Sequence, residues 1–178
     1  MFILALASNA AAWPVKVRLP WAATSGVHFV EAIVEANNYR AAAAGLALRK
    51  SSSPELREFA RTLWLDTLAD RRRLSWTLTR WRPYAFLPDR VSPRLMFVID
   101  ELILPGGDEF DARYIAQQEA SLKKVLELAE SYSKIGDDFD LKEYTQRSLP
   151  KIRMRLDETG EIGMRLQETL SRQMLAHE

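Results

Sequence analysis

Apolar residues recur along this chain at alternating steps of three and four over long stretches, the spacing that lines one face of an α-helix. Between Val27 and Arg49 the positions Phe29, Val30, Ile33, Val34, Ala41, Ala44 and Leu48 follow that rhythm, with no proline and only Gly45 among the glycines. A first long helix is predicted over 27–49. Its run from Ala41 to Ala44 has small side chains on every face, read first as high helix propensity and second as room for a neighbouring helix. Ser51, Ser52 and Ser53 break the pattern. Ser53-Pro54-Glu55 then restarts a helix, with serine as N-cap, proline where its missing N–H costs nothing, and an acid at the positive end of the dipole. This second helix is expected to run from Pro54 to about Arg80. Its inward stripe reads Leu56, Phe59, Leu63, Thr67, Asp70, Leu74 and Leu78, so two polar residues interrupt an apolar seam at mid-helix. A site belongs at that interruption.

Pro83, Pro88 and Pro93 prevent a long helix in the next stretch, and Trp81 to Asp89 is predicted as a loop whose aromatics Trp81, Tyr84 and Phe86 need packing partners. A short helix is expected from Pro93 to Leu104, ended by Pro105, Gly106 and Gly107. Asp108 is predicted to cap the next helix, with Asp111 in its first turn. That helix, to about Lys134, places Ile115, Leu122, Val125, Ala129 and Tyr132 on one face, with Gln118 the only strongly polar member. Gly136 ends it, and Asp137 and Asp138 open a last helix. Leu141, Tyr144, Leu149, Ile152, Leu156, Ile162 and Leu166 form its pattern to about residue 174, with a kink expected at Pro150, which has no N–H for the Gln146 carbonyl. No hairpin strand pairs, repeat period or low-complexity tract interrupts this order. The expected fold is all-α: four long antiparallel helices and one short helix in a single domain over 25–178.

Residues 1–24 are set apart as a leader or extended segment. Phe2 to Ala7 is apolar and Ala10 to Ala12 are small enough for a signal-peptidase site, but no basic residue precedes them. A clipped export signal, a disordered leader and an expression scar around Ser8-Asn9-Ala10 all remain open readings of 1–12. Trp13 to Trp21 holds Pro14 and Pro20 and is expected to be extended.

Composition narrows the function classes. The chain has two histidines, His28 at the start of the first helix and His177 beyond the last, and no cysteine, which takes the usual transition-metal ligands out of the middle of the long helices. No metal and no cofactor are expected. A net charge of +1 gives no overall pull toward nucleic acid or anionic lipid. No apolar run reaches the roughly 18 residues needed to span a bilayer. Nucleophile-elbow, phosphate-loop and dinucleotide patterns are missing, and a Ser-His-Asp triad has no histidine to use, so catalysis is not expected.

Two local constellations carry alternatives. His28, Glu31 and Glu35 share one helical face, although acids in a first turn are better explained by the helix dipole, and no Glu-x-x-His occurs anywhere. Arg71, Arg72, Arg73, Arg80, Arg82, Arg90 and Arg94 face only Asp89 between residues 71 and 94, interleaved with Trp76, Trp81, Tyr84 and Phe86. Arg71, Arg72, Arg73, Arg80 and Arg82 are therefore a candidate anion-binding surface, weighed against a solvated helix end. From Asp100 to Glu143 the chain is acid-rich, and balancing within the molecule is expected ahead of self-association.

In order and spacing, Phe29-Val30, Leu46-Ala47 with Ser53-Pro54, Phe59-Ala60 with Asp66, Phe110-Asp111 with Tyr114, Gly136-Asp137-Asp138, Leu141-Lys142, Leu149-Pro150 and Leu156 resemble a ferritin-like family of bacterial exported proteins, domain of unknown function 4142, often labelled a predicted outer membrane protein. The resemblance implies a ferritin-like four-helix bundle and a periplasmic or secreted location, with a cytoplasmic one left open. It also implies histidines at three places where this chain has Thr67, Leu122 and Arg155. Leucine cannot ligate, threonine ligates poorly, and a guanidinium repels a cation. If the family geometry holds, Arg155 points at Asp66, Thr67 and Asp70, a candidate core polar cluster with an Arg155 to Asp66 or Asp70 ion pair, since an unpaired interior charge is costly. The alternative is an Arg155 turned out to solvent. The expected function is a non-catalytic structural or binding module of the bacterial envelope. Alternatives are a metal or redox bundle built on carboxylates alone and a binder of anionic surfaces or nucleic acid through the arginines, nucleic acid being the less expected. An envelope protein or a second copy is the expected kind of partner.

Overall fold

The computed structural model of the protein describes residues 25–81 and 87–176. They form five helices: α1 (Gly26–Lys50), α2 (Pro54–Trp81), α3 (Pro93–Asp100), α4 (Gly107–Ile135) and α5 (Phe139–Ala176). No strand occurs among the described residues. The expected leader 1–24, with its extended segment, and the residues 82–86 of the expected loop, with Arg82, Tyr84 and Phe86, lie outside them.

The helix boundaries follow local chemistry. Ser53 Oγ accepts from the Leu56 N–H at 3.2 Å, the expected N-cap of α2. Ser92 does the same for Leu95, with Pro93 at the first position of α3. Asp138 Oδ1 accepts from Leu141 N–H at 2.8 Å and opens α5. Gly136 closes α4, its N–H bonded to the Tyr132 carbonyl at 2.9 Å. Pro150 sits inside α5 without ending it.

Several expectations are corrected. Trp81 belongs to α2 instead of the following loop. The short helix stops at Asp100, because the next turns tighten to i→i+3 bonds from Leu102 N–H to Ile99 O and Ile103 N–H to Asp100 O. Lys50 Nζ donates to the Leu102 and Ile103 carbonyls at 3.0 and 2.5 Å and fixes that tight end. Asp108 does not cap α4: Gly106 is the N-cap, without a side-chain bond, and Gly107 at φ 54° makes the left-handed reversal, leaving Asp108 in the first turn. Ala43, Ala44 and Ala47 are fully buried against Leu56, Phe59, Ala60 and Tyr114, so the alanine run permits close approach as well as favouring helix.

α1 packs chiefly on α2 and α4 chiefly on α5; α1 also meets α4, α2 also meets α5, and α3 lies against α1. The apolar core divides in two. One cluster joins Tyr39, Ala43, Ala44 and Ala47 of α1 to Leu56, Phe59 and Leu63 of α2, Leu95 and Ile99 of α3, Phe110 and Tyr114 of α4, and Ile162 of α5. The other joins Phe29, Ile33 and Val34 of α1 to Leu74 and Leu78 of α2, Val125 and Tyr132 of α4, and Leu141 of α5. Reading each helix from its start, α1 and α5 pass from the second cluster to the first, whereas α2 and α4 pass from the first to the second. Between the clusters every long helix contributes inward polar residues, accompanied by Leu122 on α4 and Ile152 on α5.

Candidate functional site

The layer between the two clusters takes Asn37 and Arg40 from α1, Asp66, Thr67 and Asp70 from α2, Gln118 and Ser121 from α4, and Thr145, Ser148, Arg155 and Thr159 from α5. On α5 this corrects the sequence pattern. The inward stripe is Leu141, Thr145, Ser148, Ile152, Arg155, Thr159 and Ile162, while Tyr144, Leu149 and Leu156 flank it half-buried. Four of these hydroxyls tolerate burial because each donates to the carbonyl four residues back: Thr67 to Leu63 O at 2.8 Å, Thr145 to Leu141 O at 2.6 Å, Ser148 to Tyr144 O at 2.9 Å and Thr159 to Arg155 O at 2.6 Å.

Arg155 turns inward. Its Nε donates to Asp66 Oδ2 at 2.7 Å and its Nη1 to Glu158 Oε2 at 2.5 Å, and only 14% of its side chain is exposed. Lys151 Nζ reaches the other Asp66 oxygen at 2.6 Å, so one carboxylate of α2 is held by two cations of α5. Burial lowers the Arg155 pKa, but the bonds to Asp66 and Glu158 outweigh it and hold the guanidinium above its ordinary value. Asp70 points elsewhere, to Arg73 Nη2 at 2.6 Å. Thr67 and Leu122 are buried.

The residue that sequence reasoning missed is Arg40. It lies on the inward stripe of α1 with Phe29, Ile33, Ala44 and Ala47, and it is buried. Among the described residues its one hydrogen bond goes to Asn37 Oδ1, and its Nε has no partner. Burial pulls its pKa down, opposed by the nearby charges of Asp70 and Asp66. A cavity of about 20 Å³ lies beside it, lined by Asn37, Arg40, Asp70, Tyr144, Thr145 and Ser148 together with apolar groups. That is room for one water molecule among polar partners. On α4, Gln118 is fully buried with neither end of its amide bonded among the described residues, and Ser121 Oγ and Tyr114 Oη have no partner among them either. The signal for Arg40 was its place on the stripe at steps of three and four, obscured by the alanines around it.

The other candidates separate. His28 Nδ1 lies 3.3 Å from Glu31, but Glu35 turns to Ser92 and to Arg94 Nη2 at 2.8 Å, so the three do not converge. Among the described residues no three His, Cys, Asp or Glu side chains come together as an ion site. The three consecutive arginines diverge, since neighbours on a helix are about 100° apart. Arg71 donates to the Leu87 and Pro88 carbonyls and to Asn38 Oδ1, pinning the chain that leads to α3. Arg73 holds Asp70, and Arg72 is exposed on the outer side of α2. Arg80 is in α2, and Arg82 lies outside the described residues. The acid-rich stretch is balanced internally: Glu109 pairs with Arg113, Glu127 with Lys124 and Glu130 with Arg153. Asp137 Oδ1 accepts from Gly26 N–H at 2.8 Å and Tyr132 Oη at 3.0 Å, tying the α4–α5 turn to the start of α1. Asp111 is buried, and burial holds its carboxyl above the usual range despite a bond from Ser51.

Comparison with known proteins adds the family. The chain belongs to the family described as a domain of unknown function (DUF4142), whose model matches residues 19–162. No curated protein and no solved structure matches it.

Proposed function

From membership in a family whose function is undescribed, we propose that the chain is a non-catalytic ferritin-like four-helix bundle serving as a structural or binding module of the bacterial envelope. The bundle reading is supported by the neighbour relations of α1, α2, α4 and α5 and by the opposite order in which they cross the two apolar clusters. In that arrangement α3 and its flanking chain carry the polypeptide back along the bundle, so that α2 and α4 run the same way. The envelope setting rests on the resemblance to exported proteins.

The observation that carries the non-catalytic reading is the double grip on Asp66 by Arg155 and Lys151. A carboxylate site for iron or manganese needs acids free to face the ion. Here Asp66 and Glu158 face a guanidinium, Asp70 faces another, and a divalent ion between α2 and α5 would meet three cationic groups. The layer is therefore read as a fixed electrostatic link between helices.

Urea unfolding tests this. Asp66→Asn should cost about 2 kcal/mol, the scale of charged hydrogen bonds lost from a half-buried group. A chelator should leave the unfolding midpoint of the unaltered protein where it was. A midpoint that falls with chelator, together with stoichiometric metal in protein from the native cell that disappears in Asp66→Asn, would establish the carboxylate metal bundle instead. Fractionation of the native cell checks the envelope setting.

A further inference from the structure

The outer face of α2 is apolar and basic at once. Positions 61, 65, 68, 72, 76 and 79 follow steps of three and four along the side opposite Leu63, Leu74 and Leu78. They are Arg61, Leu65, Leu68, Arg72, Trp76 and Thr79, with Trp64 at the flank. Leu65 is 52% exposed, Leu68 42%, Trp64 39% and Trp76 73%. Four large apolar side chains in sixteen residues of one helix back are more than scattered exposure, and they form a stripe about four turns long.

Charge on this face has one sign. From Phe59 to Pro88 the chain has six arginines and two acids, Asp66 and Asp70. Both acids point away from the stripe, Asp66 to Lys151 and Arg155 of α5, and Asp70 to Arg73. Arg61 and Arg72 are exposed beside the leucines and tryptophans, with Glu58 countering only Arg61 at the N-terminal end. A surface that offers aliphatic groups, indoles and arginines without free acid fits a partner with negative charge over an apolar interior. Nucleic acid would take the arginines and stack on the indoles but leaves Leu65 and Leu68 in water. A second copy docked face to face would set arginine against arginine.

We propose that the outer face of α2 lies on an anionic lipid bilayer, with Leu65, Leu68, Trp64 and Trp76 entering the interfacial region and Arg61 and Arg72 reaching back to the headgroup phosphates. Indoles settle at that boundary because the ring is apolar and its N–H is not, and arginine stems extend from apolar surroundings to polar ones. The helix would lie flat, since no described helix is long and apolar enough to cross a membrane. This goes beyond the proposed function and holds whether or not the bundle interior binds an ion.

The test is sedimentation of the full chain with phosphatidylcholine vesicles, with and without phosphatidylglycerol, alongside a duplex DNA oligonucleotide and a sizing measurement. Binding is expected only with phosphatidylglycerol, weakening as salt rises. Trp76→Ser and Arg72→Glu should each weaken it about tenfold, from lost apolar burial and from reversed charge respectively. Phe97→Ser, at an exposed phenylalanine of α3 and off this face, should leave it unchanged. Far-UV circular dichroism confirms that each variant is folded. The proposal is overturned by no vesicle binding, by vesicle binding that Trp76→Ser and Arg72→Glu leave intact, or by the same two variants abolishing DNA binding or dimerisation instead. Loss of vesicle binding in Asp66→Asn, whose side chain faces α5, would assign the effect to the interior and not to this face.

Discussion

Arg40 is a buried cation whose charge no carboxylate among the described residues meets directly, and that predicts an unusual outcome for its removal. Desolvation of a guanidinium is expensive, and replacing such a group by an apolar side chain of similar length commonly stabilises a protein. Arg40→Met should raise the urea midpoint, by on the order of 1–3 kcal/mol in stability. A loss of similar size would show that Asp70, or a water in the adjoining cavity, closes the circuit in solution. Arg155 is the opposite case, since each of its bonds to Asp66 and Glu158 has short, charged geometry. The resemblance to the family pointed to that residue, through the histidine it implies there, and the polar break on α2 pointed to the helix it would face. It did not distinguish Asp66 from Asp70, because a difference of four residues leaves both near the same side of a helix. Arg73, three residues beyond Asp70, decides between them.

At the scale of the helix, Gly136 shows what a single hydrogen atom in place of a side chain permits. Its backbone is an ordinary extended one at φ −59°, so its left-handed freedom is not in use. A Cβ there would lie 2.6 Å from the Tyr132 carbonyl oxygen and 2.7 Å from the Tyr132 ring. Gly136→Ala should therefore destabilise the protein by about 1–3 kcal/mol, as overpacking does, and thermal melting would measure it. An unchanged melt would mean that the α4–α5 turn relaxes freely. The ends and the long apolar faces of α1, α2 and α4 were legible because serine caps, prolines and leucines carry strong local preferences. The inner face of α5 was not. Thr145, Ser148 and Thr159 count as polar in any pattern of hydropathy, yet their bonds to backbone carbonyls let them stand where leucines were expected. The three successive arginines show the same limit: composition groups them, while helical geometry sends Arg71 to a loop, Arg73 to Asp70 and Arg72 to the outside.

For the whole molecule, buried tyrosines couple both halves of the core to pH. Tyr39 and Tyr114 belong to one apolar cluster and Tyr132 to the other, all three fully buried. Burial raises the phenol pKa of each well above 10.0, as it does for Tyr144 beside the cavity. A folded pKa above the unfolded one means that this stability is complete below the unfolded pKa and declines as pH climbs past it. Beyond about pH 10 each such phenol should remove about 1.4 kcal/mol per pH unit, so unfolding and tyrosinate absorbance should rise together in one steep transition. Gradual phenol titration with the helices intact would contradict the burial.

The polar layer also governs how the long helices are aligned along their length. Leucine, valine and alanine seams spaced by three and four would accept a neighbour displaced by one turn, about 5.4 Å, nearly as well as the native one. Asp66 between Arg155 and Lys151 penalises such a slip, because the two cations are one turn apart: displaced one way, α5 leaves Asp66 a single cation, and displaced the other, it carries Arg155 into the dry place of Thr159. The same three side chains that leave little room for an ion thus act as a registration pin, and a chain lacking them should sample offset packings that broaden its spectra before it unfolds.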